Sequence, residues 1–159
     1  MKILIIATEN NKSKQLMHGI SEQGYEFLDN PFKINEYENN WFDLSKYFKT
    51  NKFVVKTITY QKPSSIPNYI VFISQLVNQF DKIILLDKII EDSNKSKKKR
   101  HKEILRKISE MINIPITYYE KLFSVDNMEQ FEIINRLELD IDSFTLQEYL
   151  DPNKNHSII

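Results

Sequence analysis

The chain has 159 residues and a mass of 19.0 kDa, with 22 basic and 22 acidic side chains, no cysteine and only two glycines. Its apolar content of 41% excludes a disordered chain, and the lack of cysteine excludes disulfides and thiolate zinc sites. No apolar run approaches the roughly 20 residues of a membrane helix, which excludes a membrane-spanning protein. We therefore expect one soluble, cytoplasmic domain over residues 1–159, with no membrane partner.

The chain opens with an apolar run at 3–7 that predicts a buried strand. Glu9 and a polar stretch follow this run at once, so it is not a cleavable signal. Residues 8–14 then open a helix that ends near Gly24, a residue typical of a left-handed helix cap. The N-terminal part thus predicts a strand, a polar connection and a helix.

The middle of the chain continues with a second strand and a second helix. Residues 25–52 are rich in Asn and aromatic residues, and they predict an irregular segment with a short helix around 42–48. The run 53–55 predicts the strand, and apolar residues at helical spacing over 66–80 predict the helix.

The second half of the chain keeps this alternation of strands and helices. Its predicted elements are, in order, a strand at 83–86, a charged loop over 91–102, a helix at 104–112, a strand at 114–119 and helices around 128–137 and 144–150. The pattern predicts an α/β domain of three layers, with a mostly parallel four- or five-stranded sheet between helices on both faces. Ligands of such domains bind at the carboxyl ends of the strands.

The balanced net charge hides a polarity along the sequence. The charge is +2 over residues 1–80, +4 over 81–110 and −6 over 111–159. The basic run at 95–102 indicates either a nucleic-acid contact or a solvated loop, and the neutral domain favours the loop. The C-terminal acids indicate either a solvated acidic face beside an anion site or simply the exposed sides of the last helices.

The first strand end carries the segment Thr8-Glu9-Asn10-Asn11-Lys12-Ser13-Lys14. A helix N-terminus that follows a strand can bind phosphate or sulfate, and here two lysines and the Ser13 hydroxyl would assist. In the alternative interpretation, Asn11 or Ser13 only caps the helix. The segment lacks the glycines of a Walker A loop, which argues against an ordinary phosphate loop.

Two further strand ends carry charged residues. Lys56 follows the second strand and could neutralise a leaving phosphate, or it is an ordinary surface lysine. Asp87 ends the third strand and could hold Mg²⁺ as in an NTPase, or it is an ordinary strand-end residue. The three histidines are too far apart in sequence to pair at ligand spacing, so we expect no metal.

Taken together, these strand ends resemble the sulfotransferase family of P-loop-type folds, especially its short, lysine-rich members from phages and marine bacteria. The segment 8–14 resembles the family's phosphosulfate loop, and Val55-Lys56-Thr57 resembles its strand ending in Lys-Thr-His. Lys88 and Ser96 keep the eight-residue spacing of the family's 3′-phosphate pair. The segment 148–155 resembles the C-terminal close of the short members.

The resemblance implies a P-loop NTPase-like fold and sulfo transfer from 3′-phosphoadenosine-5′-phosphosulfate to an unknown hydroxyl or amine acceptor. It implies that Lys12 and Lys56 supply positive charge at the leaving phosphate. The donor would contact the following side chains: Thr8, Asn10, Asn11, Lys12, Ser13, Lys14, Lys88 and Ser96.

The sequence departs from the family at several of these positions. Asn10 and Lys12 stand where the family has Arg and Gly, and Ile58 stands at the position of its catalytic His. Candidates for the missing base are Glu9, Asp87 and His18. The departures favour, as an alternative, a degenerate relative that binds a nucleotide, an anion or a host protein without catalysis. A kinase or NTPase is a third hypothesis, and the glycine-free loop argues against it.

Overall fold

A five-stranded sheet, all parallel, lies at the centre of the computed structural model, which describes residues 1–32, 43–59, 66–89 and 96–152. Its spatial order is β2-β3-β1-β4-β5. The strands are β1 (Lys2–Ala7), β2 (Glu26–Asp29), β3 (Phe53–Ile58), β4 (Lys82–Asp87) and β5 (Ile116–Tyr118).

Six α-helices and two short 3₁₀-helices accompany the sheet in the described ranges. The α-helices are α1 (Asn10–Ser21), α2 (Ile66–Leu76), α3 (Ser96–Ile112), α4 (Tyr119–Leu122), α5 (Asn127–Arg136) and α6 (Ser143–Tyr149). The 3₁₀-helices are Leu44–Lys46 and Val77–Gln79. Within the described residues, no helix is both long and apolar enough to cross a membrane.

The two faces of the central strands fill two separate cores. Successive side chains of β1 point to opposite faces, and all five residues from Ile3 to Ala7 are buried. Ile3 and Ile5 pack in the core that includes residues of α1, α5 and α6, whereas Leu4 and Ile6 pack in the core that includes residues of α2 and α3. The predicted α/β architecture, with helices on both faces of a parallel sheet, is confirmed.

Two parts of the predicted secondary structure are wrong. The segment expected to be irregular contains β2, a four-residue edge strand that pairs with β3 from Glu26↔Phe53 to Asp29↔Lys56. Because β2 is short and only half-buried, it lacks the continuous apolar run by which the other strands are recognised. The expected charged loop is also shorter than predicted, because α3 begins at Ser96 and includes most of the basic run.

Candidate functional site

The connection between β1 and α1 contains only two residues, Thr8 and Glu9. Glu9 has extended backbone angles (φ −148°, ψ 152°), and its Oε1 accepts a hydrogen bond of 2.7 Å from the Lys12 backbone N–H. Glu9 is therefore the N-cap of α1, and the prediction that Asn11 or Ser13 caps this helix is wrong. Its carboxylate lies at the helix N-terminus, where an anion is stabilised by the free N–H groups and the helix dipole.

The hydroxyl of Ser13 points back into its own helix. Ser13 is fully buried, and its Oγ lies 2.6 Å from the Glu9 carbonyl oxygen and 2.9 Å from that of Asn10. The Tyr119 hydroxyl donates to the same Glu9 carbonyl at 3.2 Å. Burial, with the charge of Glu9 as a second cause, raises the pKa of Tyr119, so its phenol remains protonated.

Lys56 is a fully buried lysine within β3, two residues before the strand ends, so the predictions that it follows this strand or is an ordinary surface lysine are wrong. Parallel pairing with β2 places Asp29 opposite it, and Lys56 Nζ lies 2.7 Å from Asp29 Oδ1. The ammonium group also donates to Oδ1 of Asn10. Lys14 Nζ lies 3.8 Å from Oδ2 of the same aspartate. Asp29 therefore joins two of the predicted site lysines, and it could not be found from the sequence because β2 was not predicted.

Asp87 accepts hydrogen bonds from several groups at the end of β4. Its Oδ1 accepts the Thr8 hydroxyl at 2.8 Å and the Lys88 backbone N–H at 2.7 Å. Lys102 Nζ lies 2.9 Å from its Oδ2, and the side chain of Asp87 is only 7% exposed. Lys88 Nζ in turn lies 3.4 Å from Glu9 Oε2. These contacts connect the end of β4 to the start of α1.

His101 is a site residue that the sequence interpretation missed, because it lies within the basic run. It is buried, and its Nδ1 forms a hydrogen bond with the Thr59 hydroxyl. Burial lowers the pKa of His101, opposed by the nearby charge of Asp87. A signal for this position does exist in the sequence: His101 precedes Ile104 and Leu105 by three and four residues and so lies on the apolar stripe of α3.

The structure brings some of the other predicted site residues to this region and leaves others apart. The Thr8 hydroxyl donates to Asp87, and the Asn10 side-chain oxygen accepts a hydrogen bond from Lys56. Lys12 Nζ lies 4.6 Å from the centroid of the Phe123 ring, and Asn11 is exposed. Ser96 begins α3, and its side chain lies outside the described part of the structure.

We call this region the charged edge. It comprises five lysines and three carboxylates at the carboxyl ends of the strands: Lys12, Lys14, Lys56, Lys88, Lys102, Glu9, Asp29 and Asp87. Among the described residues these groups carry five positive and three negative charges, and the adjoining Glu120 carboxylate, which accepts the Ile89 backbone N–H at 2.5 Å, leaves a surplus of one positive charge. Each of the three carboxylates of the charged edge lies within ion-pair distance of at least one lysine. The charged edge can therefore attract an anion, and the anion would exchange with a carboxylate already in place.

Two further observations concern other possible binding sites. Among the described residues, no group of three or more His, Asp or Glu side chains is arranged to hold a metal ion. A cavity of about 460 Å³ lies elsewhere, along the edge formed by β4 and β5, and its lining includes Ile83, Ile116 and Arg136. None of the eight charged-edge residues lines this cavity.

No protein-family model matches the chain, and no curated protein matches it. Among solved structures, the chain is similar to the solution NMR structure of a de novo designed protein with a P-loop NTPase fold. The two sequences are 20% identical, the alignment covers 99% of this chain and 100% of the designed protein, and the TM-score is 0.46.

Proposed function

We propose that the protein binds a phosphorylated or sulfated nucleotide at the charged edge. The observation that carries this proposal is the surplus of positive charge among the described residues at the carboxyl ends of a parallel sheet, where α/β domains bind their ligands. The candidate ligand is 3′-phosphoadenosine-5′-phosphosulfate, the donor that the sulfotransferase resemblance implies. Lys88 and Lys12 are the lysines best able to contact it, because Lys56 is fully buried against Asp29.

Glu9 would compete with the ligand for this site. Its carboxylate holds the N-terminus of α1 and lies 3.4 Å from Lys88 Nζ, so it takes two of the interactions that a phosphate would use. A bound phosphate or sulfate group would displace this carboxylate into solvent. We therefore expect Glu9→Gln to strengthen nucleotide binding and Lys88→Ala to weaken it.

Thermal unfolding with 3′,5′-diphosphoadenosine at millimolar concentration tests the proposal, because a ligand that binds only the folded state raises the unfolding midpoint. We expect a rise that is larger in Glu9→Gln and smaller in Lys12→Ala and Lys88→Ala. Glu138→Gln is the matched control for charge, since it also removes one acid but lies in an exposed pair with Lys82. The absence of any shift, or equal shifts in both glutamine variants, would contradict the proposal.

Sulfo transfer is the second candidate function, and His101 is the observation that favours it. Burial lowers the pKa of His101, so the imidazole is neutral near pH 7, the form that accepts a proton, and the acceptor hydroxyl or amine would take the place of the Thr59 hydroxyl at its Nδ1. In that reaction the acceptor oxygen or nitrogen attacks sulfur, the bond from sulfur to the phosphate oxygen breaks, and 3′,5′-diphosphoadenosine leaves. Transfer of radiolabelled sulfate from the donor to any small acceptor or polysaccharide tests it. Binding without transfer would favour the degenerate alternative.

A further inference from the structure

Among the described residues, the three most exposed large apolar side chains lie in the last two helices or just before them. Val125, Met128 and Phe144 are 75%, 76% and 69% exposed. Val125 precedes α5, Met128 lies in its first turn, and Phe144 lies in the first turn of α6. None of these three residues belongs to the charged edge, and Phe123, two residues before Val125, lies against Lys12 of that edge.

Contacts between α5 and α6 join Met128 and Phe144 into one patch. The rings of Phe131 and Phe144 stack with their centroids 4.7 Å apart. Met128 lies three residues before Phe131 and therefore neighbours it on the same helix face. The Gln147 side chain also donates to the Asn127 carbonyl at 2.6 Å, which holds the two helices together. We call the surface of Met128, Phe131 and Phe144 the apolar patch.

The surroundings of the apolar patch are strongly acidic. Residues 124–151 contain eight acidic residues and one basic residue, a balance of −7. Glu132 follows Met128 by one helical turn and therefore adjoins it on the same helix face. This charge repels nucleic acids and anionic lipids, and it attracts a basic protein surface.

We propose that the apolar patch docks a basic amphipathic helix of a partner protein. The partner's apolar side chains would cover Met128 and Phe144, while its Lys or Arg residues would contact Glu132. Methionine suits this role because its flexible thioether adapts to different partner shapes. The recognition is of the helix-in-groove kind, in which a few apolar anchors supply affinity and flanking charges supply orientation.

A synthetic peptide of leucine and lysine, patterned as an amphipathic helix, is the probe for this docking. A peptide with glutamate in place of lysine is its control. We expect fluorescence anisotropy to show binding of the lysine peptide and none of the glutamate peptide. The double variant Met128→Ser, Phe144→Ser should weaken binding about tenfold, because apolar anchors dominate such interfaces. Met111→Ser, which removes a 41% exposed side chain from α3, should leave binding unchanged.

Charge variants and self-association complete the test. Glu132→Gln should weaken binding about threefold at low salt and have no effect at high salt, whereas Glu103→Gln on α3 should have none at either. Lysine-peptide binding that the double variant leaves intact would overturn the proposal, as would no binding. Sedimentation velocity tests whether a second copy of this chain covers the apolar patch instead. Self-association that the double variant abolishes would identify that copy as the occupant and would overturn the docking of a partner helix.

Discussion

The charged edge and the apolar patch differ in how far their side chains are already paired or covered by other residues of the chain. At the charged edge, Glu9, Asp29 and Asp87 each lie within ion-pair distance of a lysine. At the apolar patch, Met128 and Phe144 leave more than two-thirds of their surface in water. A ligand of the charged edge must exchange with existing pairs, whereas a partner of the apolar patch only has to displace water.

This difference has an energetic consequence. Exchanging one ion pair for another yields only the difference between two similar free energies, so affinity at the charged edge depends on removing the internal competitor. Covering an apolar side chain yields free energy in proportion to the area removed from water, about 25 cal/mol per Å². We therefore expect mutations at the charged edge to change stability, its pH dependence and nucleotide binding. Mutations at the apolar patch should change partner binding alone.

The largest expected effect is at Lys56. Lys56→Ala leaves Asp29 without its closest partner and removes a fully buried side chain, so we expect a loss of about 3 kcal/mol in the free energy of unfolding. Asp29 is 30% exposed, which keeps the loss at the low end of the range for buried pairs. Urea unfolding measures it. Lys82→Ala breaks a pair whose Glu138 is 76% exposed and should cost less than about 1 kcal/mol. Equal losses in the free energy of unfolding for Lys56→Ala and Lys82→Ala would contradict the distinction between a buried and an exposed pair.

The pH dependence of stability should depend on His101. Burial holds its pKa in the folded chain below the ordinary value of about 6.5, so the unfolded chain binds more protons just below that pH. The contribution of neutral His101 is complete above about pH 6.5 and is lost as the pH falls toward the folded pKa. We expect the thermal midpoint to decrease over this range and to decrease less in His101→Gln. Identical pH profiles for the two proteins would contradict a buried, neutral His101 in the folded chain.

The smallest expected effect on stability is at the apolar patch. Met128→Ser should change the free energy of unfolding by no more than about 0.5 kcal/mol, because its side chain is 76% exposed. Leu146→Ala on the neighbouring α6 serves as the contrast, since Leu146 is fully buried and its truncation should cost several times more. Chemical denaturation of both variants measures the ratio. A large loss in Met128→Ser would mean that this residue stabilises the fold rather than a complex.

Much of the fold follows from local patterns in the sequence. The run at 3–7 has no polar residue, which in the sequence itself predicts a strand buried on both faces. In the structure this strand lies between two neighbouring strands. The edge strand β2 alternates between half-buried and exposed residues, and only its pairing with β3 identifies it. The difference has a physical cause, because an edge strand owes its structure to hydrogen bonds with a distant segment.

The charged edge was only partly predictable. The sequence placed lysines at the strand ends, since that depends on where apolar runs stop. It did not show which carboxylate each lysine contacts, because Asp29 reaches Lys56 through strand pairing and Lys102 reaches Asp87 from another helix. To identify Glu9 as the N-cap one must know where α1 begins, and a helix start is defined only to within one or two residues.

The sequence by itself determined the class of this protein: an α/β domain with lysines at its strand ends and acids toward its C-terminus. Hydrophobic patterning and charge blocks are local properties, and they do not depend on which segments meet. Only the tertiary structure decided that His101 contacts Thr59, that the lysines are paired internally, and that Met128 and Phe144 lie exposed on adjoining helices. These outcomes rest on contacts between residues far apart in the chain, whose free energies have no signature in any single segment.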